Sequence, residues 1–134
     1  MNDNEIEGSL QETLQLINPP EAAFTYFKGE SRKIVYKLRN IGAHPFRDFS
    51  VKALTRIKVG DGIDNKPIFQ DTKVNYAKVL SYPGNMNAQQ TKDLEVLISV
   101  PPDYNEKIIY KGRPVVQACR VFVIIKSIEH ITEL

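Results

Sequence analysis

The chain has no tryptophan, a single cysteine (Cys119) and only two histidines, His44 and His130, in 134 residues. One cysteine cannot close an intramolecular disulfide, and a cysteine-rich zinc module is excluded with it. Zinc needs three or four ligands in close geometry, and no spacing of His, Cys or carboxylates supplies them. Both histidines read as surface groups. No apolar run approaches the roughly 20 residues of a membrane-spanning helix. A Gly-x-Ser-x-Gly elbow, a phosphate-cradling glycine loop and a His-Glu-x-x-His helix are all missing, so the expectation is a non-enzymatic chain without a cofactor. The polar, acidic start lacks the basic end and apolar core of a signal peptide. That makes the cytoplasm the default location, with an extracellular or virion setting if the sequence is an excised domain.

What is present suits one ordinary folded unit: 42% apolar and 25% charged residues, in a length that buries about two-thirds of its unfolded surface. Residues 1–9 read as a disordered arm and residues 10–134 as a single domain. The net charge of +2 is unevenly divided. Residues 1–30 carry six carboxylates against one lysine, whereas the remainder holds seventeen basic and ten acidic groups. A basic body attracts anionic partners through its summed field, but these basic residues are interleaved with acids and form no block.

The dominant hydrophobic period is two, the signature of half-buried strands. Ile34, Tyr36 and Leu38 alternate with Lys33, Lys37 and Arg39. Phe49, Val51, Ala53 and Ile57 form a second inward set, and Leu94, Val96, Ile98 and Val100 a third. Residues 121–125 are continuously apolar, which implies cover on both faces, and alternation resumes to Ile131. The expectation is one long central strand over 118–131, with Cys119 as core filling. Weaker strands fall at 14–17, 24–27, 68–82 (broken) and 107–110. Partial helical spacing at 4–16 competes with strand, which is preferred for its second half. Turn formers punctuate these runs at Asn18-Pro19-Pro20, Lys28-Gly29-Glu30-Ser31, Val59-Gly60-Asp61-Gly62, Tyr82-Pro83-Gly84-Asn85, Pro101-Pro102-Asp103-Tyr104 and Lys111-Gly112-Arg113-Pro114. Short strands separated in this way predict a sandwich or barrel.

Two stretches carry a resemblance. Phe27-Lys28-Gly29-Glu30-Ser31, followed by the strand Ile34 to Arg39 and Asn40-Ile41-Gly42, resembles the opening of immunoglobulin-like domains of the CARDB and related types. Tyr82-Pro83-Gly84-Asn85 with the strand Leu94 to Val100 and Pro101 is similar to their later segment. The resemblance implies an all-β, immunoglobulin-like antiparallel sandwich of about seven strands, used for binding, spacing or assembly. It carries no catalytic residues. The Cys-Trp-Cys core of antibody domains is absent, and the region 57–80 is longer than the pattern needs.

The expected function is therefore protein–protein contact or self-association through a sheet face or an edge strand, whose unpaired N–H and C=O groups accept another strand. The ragged segment 68–82 is the candidate edge, with Gln70, Lys73, Asn75, Tyr76 and Tyr82 as contact residues; Tyr26, Tyr104 and Tyr110 also lie in or beside strands and turns. An alternative is a carbohydrate- or calcium-dependent module using the loops at 61–65 and 82–87. Asp61, Asp64 and Asn65, with Asp71 downstream, offer the oxygen ligands calcium prefers, although Asp, Asn and Gly dominate turns for backbone reasons alone. A third class is nucleic-acid binding by Lys33, Lys37, Arg39, Lys52, Arg56 and Lys58, if the two strands bearing them are neighbours.

Overall fold

Strands form where the alternation is cleanest. The computed structural model describes residues 14–104, 116–125 and 130–134, and eight strands run through them: β1 (Leu14–Ile17), β2 (Ser31–Asn40), β3 (Phe49–Asp61), β4 (Pro67–Asp71), β5 (Ala77–Ser81), β6 (Thr91–Ser99), β7 (Ala118–Ile125) and β8 (His130–Glu133). They make two four-stranded antiparallel sheets, ordered β1-β2-β6-β5 and β4-β3-β7-β8. The core lies between them. Ile34, Tyr36 and Leu38 of β2 and Leu94, Val96 and Ile98 of β6 meet Phe49, Val51 and Ala53 of β3 and Val121 and Val123 of β7. Burying each such side chain stabilises the fold by about 1.5–3 kcal/mol.

Several elements differ from the sequence reading. The run 118–131 is not one strand. Residues 130–133 pair antiparallel with residues 122–125, so the chain reverses between them and β8 becomes the sheet edge. Residues 24–27 are not a strand either. A 3-10 turn occupies Glu21–Phe24, closed by Ala23 N–H on Pro20 O, and only Tyr26 bridges across to Val116. The turn expected at 59–62 lies later, because β3 continues to Asp61 through a bulge between Lys58 and Gly60. The arm at 1–9, the first part of the helical stretch 4–16, the strand at 107–110, Tyr110 and the turn at 111–114 lie outside the described residues.

The ragged segment 68–82 is two strands in different sheets, β4 and β5, each at its sheet's edge. The chain changes sheets at residues 72–76, and a polar network holds the crossing. Thr55 and Thr72 are both buried. Thr55 Oγ1 is 2.7 Å from Thr72 Oγ1 and accepts from Tyr76 N–H, while Thr72 Oγ1 donates to Val74 O at 2.6 Å. Asn75 Nδ2 donates to Ala53 O, and its Oδ1 accepts from Thr55 and Ala77 N–H. Buried backbone groups that leave a ladder need such partners.

A second crossing lies after β5. Pro83 is buried and carries no N–H. Beyond it, Gly84 O accepts from Phe49 N–H, and Met86 bridges to Phe46. Asn40, fully buried at the end of β2, anchors this corner. Its amide donates to His44 O at 2.8 Å and Asn87 O at 3.2 Å, and its Oδ1 accepts from Gly42 N–H. This is an Asx turn, and it explains the Asn-x-Gly in the sequence.

Candidate functional site

The outer face of the second sheet combines apolar surface with an organised charge cluster. Opposed pairs in this register run Lys52–Phe122, Leu54–Arg120, Phe122–Glu133 and Ile124–Ile131. Val121 and Val123 point into the core, so Phe122 and Ile124 face outward. They are half-buried among their neighbours, and Ile131 at the edge is 61% exposed.

Arg120 is the centre of the charged part. Its Nε donates to Glu133 Oε1 at 2.6 Å, and its Nη1 donates to both oxygens of Asp71 at 3.1 and 3.3 Å. The guanidinium also stands 4.9 Å from the Phe122 ring centroid. One side chain of β7 thus spans the sheet from β4 to β8. The hydrogen bond to Glu133 holds the guanidinium charged more firmly than usual, and Asp71 adds to this. Arg56, 5.3 Å from the Phe69 ring, approaches Asp71 from β3 at 4.0 Å.

A shallow, largely open cleft lies where β5 leaves β6. It has a volume of about 420 Å³ and is lined by Ser81, Tyr82, Pro83, Thr91, Lys92 and Asp93. Tyr82 is 42% exposed on its wall.

The contact residues expected from the sequence separate into two groups. Gln70 on β4, Lys73 in the crossing and Tyr82 at the cleft are exposed. Asn75 is exposed as well but, like the half-buried Tyr76, also takes part in the architecture. Asn75 ties β3 to β5, and Tyr76 is half-buried with its ring edge-on to Tyr104 at 5.8 Å. Tyr26 is fully buried, so it offers no contact surface. His44 is exposed, in the loop anchored by Asn40.

The six basic residues do not form one face. Lys33, Lys37 and Arg39 lie on β2 in the first sheet; Lys52, Arg56 and Lys58 lie on β3 in the second. The two triads therefore point from opposite outer surfaces. Most are paired as well: Lys33 with Glu95 at 2.9 Å, Lys37 with Asp93, Lys58 with Asp61 at 2.8 Å and Arg56 with Asp71.

The two loops of the ligand-binding alternative are also separated. Gly84 sits at the first residue of β3 and Asp61 is its last, so they lie on the order of 40 Å apart along the strand. Asp64 and Asn65 adopt left-handed backbone (φ 60° each) inside a tight turn closed by Gly62 N–H on Lys66 O. Among the described residues, no group of three or more His, Cys, Asp or Glu is placed to hold a metal ion.

Cys119 faces inward from β7, half-buried against the core, with Tyr36 of the opposite sheet as its electrostatic neighbour. Burial pushes its thiol up to about 11, with the nearby Tyr36 hydroxyl and the Leu54 backbone opposing the shift. The Tyr36 hydroxyl is buried without a well-formed hydrogen bond, and burial raises its pKa far above the ordinary range.

No protein-family model matches the chain, and no curated protein matches it. Among solved structures, it is similar to the ASH/PapD-like domain of human CEP192 (PapD-like domain 7). Identity is 16%, coverage is 91% of this chain and 79% of that one, and the TM-score is 0.48. The chain itself is an all-β sandwich of two four-stranded antiparallel sheets. A likeness at that identity and TM-score is a similarity on which nothing rests. It does not single out the CARDB type, and it transfers no partner or site. No helix among the described residues is long and apolar enough to cross a membrane.

Sequence reasoning missed Arg120, Asp71 and Glu133 as one unit, because they are 49 and 13 residues apart and share no local pattern. It also took the apolar run 121–125 as covered on both faces. In the structure one side of that run is core, and Phe122 and Ile124 on the other side are partly buried.

Proposed function

We propose that this chain is a non-catalytic protein-interaction module that makes contact through the outer face of its second sheet. The observation that carries this reading is the outer-face group of half-buried Phe122 and Ile124 with exposed Ile131, and Leu54 diagonal to Phe122, beside the Arg120 clamp. A contiguous apolar patch with a charged margin is how docking surfaces differ from scattered exposed residues, and Arg and aromatic residues are enriched in contact surfaces. Either an unlike protein or a second copy of the chain fits such a face. An assembly or spacing role of the CARDB kind is compatible with it.

The test compares Phe122→Glu and Ile131→Glu with Lys33→Glu on the opposite surface. Light scattering reads self-association, and a photo-crosslinking residue at position 131 or 33 reads contact with an unlike partner. Contact that depends on positions 122 and 131, and not on 33, supports the face. Equal behaviour of all three variants, with no crosslink specific to position 131, removes it.

A further inference from the structure

We propose that the cleft beside the first half of β6 accepts an extended acidic segment of a partner protein as an added strand. This goes beyond the outer-face reading, because it lies on the other sheet and stands or falls separately.

The argument begins with an interrupted ladder. On one side β6 pairs with β2 from Thr91 to Ser99. On its other side β5 pairs only from Ala77↔Ile98 to Ser81↔Glu95. The chain that would continue β5 is drawn away after Pro83 to Phe49 and Phe46 of the opposite side.

In an antiparallel strand, the N–H and C=O of successive residues point to alternate sides. The β2 side is fixed by Asn40 N–H on Gln90 O and by Val100, which donates to Glu30 O and accepts from Gly29 N–H. Even-numbered residues therefore face β2. Ser99 N–H donates to Tyr76 O on the other side, as an odd-numbered residue should. Thr91 and Asp93 consequently aim their backbone N–H and C=O groups into the cleft, in line with the end of β5. An extended segment of three or so residues placed there restores the missing ladder, which is the usual mode of strand addition.

Charge selects the segment. The cross-strand partners of Thr91 and Asp93 are Arg39 and Lys37. With Lys92 in the lining, that makes three cations against one carboxylate; Lys37 and Asp93 engage each other and Lys92 donates to Asn85 O, so Arg39 is the cation offered to an incoming carboxylate. An added strand lies two strand spacings from β2, about 10 Å, within reach of an Arg39–carboxylate pair. Tyr82 supplies apolar wall for the side chains between the carboxylates. Carboxylates at alternate positions with apolar residues between them fit this arrangement.

The experiment titrates the full chain, followed by 15N–1H NMR, with capped Glu-Val-Glu-Val-Glu and with capped Lys-Val-Lys-Val-Lys. The acidic peptide is expected to shift the Thr91 and Asp93 amides and slow their exchange, and to bind about tenfold more tightly than the lysine peptide. Thr91→Pro removes a donor aimed into the cleft and no native ladder bond; Tyr82→Ala removes the wall. Each is expected to weaken binding about fivefold or more. If Thr91→Pro fails to fold, Tyr82→Ala carries the test alone. Absence of shifts at Thr91 and Asp93, equal binding of the two peptides, or full binding by folded Tyr82→Ala overturns the proposal. None of these outcomes touches Phe122 or Ile131, so failure of the cleft and failure of the outer face are distinguishable.

Discussion

The hydroxyls of Thr55 and Thr72, seventeen residues apart in the chain, lie 2.7 Å from each other inside the sandwich. Thr55 thereby serves the second sheet through its backbone and the crossing to the first sheet through its side chain. Thr55→Val leaves the Tyr76 N–H without its acceptor and Thr72 without its donor. Each unmade buried bond costs about 1–3 kcal/mol. With two such bonds unmade, the expected result is a loss of about 2–6 kcal/mol by urea denaturation. Thr72→Val should lose a similar amount, and the double variant less than the sum, since the pair shares one bond.

Asn40 makes the other corner. Asn40→Ala removes donors to His44 O and Asn87 O and the acceptor for Gly42 N–H, and is expected to cost about 2–4 kcal/mol. Asn40→Asp places a carboxylate against two carbonyl oxygens. It should be worse at neutral pH than near pH 4, where protonation returns one donor. Thermal melts at both pH values check this.

The Cys119 thiol gives a pH signature. Its pKa rises from the ordinary 9.0 to about 11 on folding because of burial. A raised pKa means that the folded state holds the proton more tightly. The associated stability is complete below pH 9 and is lost as pH climbs through about 11. The loss is on the order of 2–3 kcal/mol. In Cys119→Ala this part of the alkaline decline disappears, although baseline stability falls because a cavity is left. In the native chain at pH 7, reaction with a thiol reagent should be slow and should accelerate on unfolding.

Tyr36→Phe is expected to be neutral or stabilising by up to about 1 kcal/mol, because the hydroxyl it removes is buried and poorly bonded. A large destabilisation would reveal a firm bond to Cys119 and is excluded by this reading.

Arg120→Ala breaks two ion pairs at once, with Asp71 and with Glu133. All the groups are substantially exposed to solvent, so the stability change should stay within about 1 kcal/mol and shrink further in high salt. Any larger effect on partner binding than on melting marks the clamp as part of a contact surface.

The strands of the core were legible because period two needs only neighbouring residues. Ile34, Tyr36, Leu38, Leu94, Val96 and Ile98 are all buried as their alternation requires. Sheet membership was not legible, because it depends on partners far along the chain. Lys37 and Lys52 look alike in sequence, yet β2 and β3 hydrogen-bond to different strands and present them on opposite surfaces. The β7–β8 hairpin hid for a related reason. Residues 126–129 contain neither Gly nor Pro, and the returning strand alternates as the outgoing one does, so the pattern runs on through the reversal. The polar residues of 72–76 resembled a solvated edge. Thr72 and Asn75 are polar because backbone groups at the crossing require partners.

The pairing of β3 with β7 also bears on synthesis. β2, β5 and β6 are complete once residue 99 has been made, so the first sheet can assemble early. β3 must then wait: its neighbour on the β7 side is missing until residues 118–125 have emerged. Through that interval Val51, Ala53 and Ile57 have one covering layer, and the edge of β3 from Phe49 to Arg56 stands open. A chain halted in that window carries the adhesive edge that the folded molecule keeps enclosed, so β7 acts as the protein's own protection against aggregation.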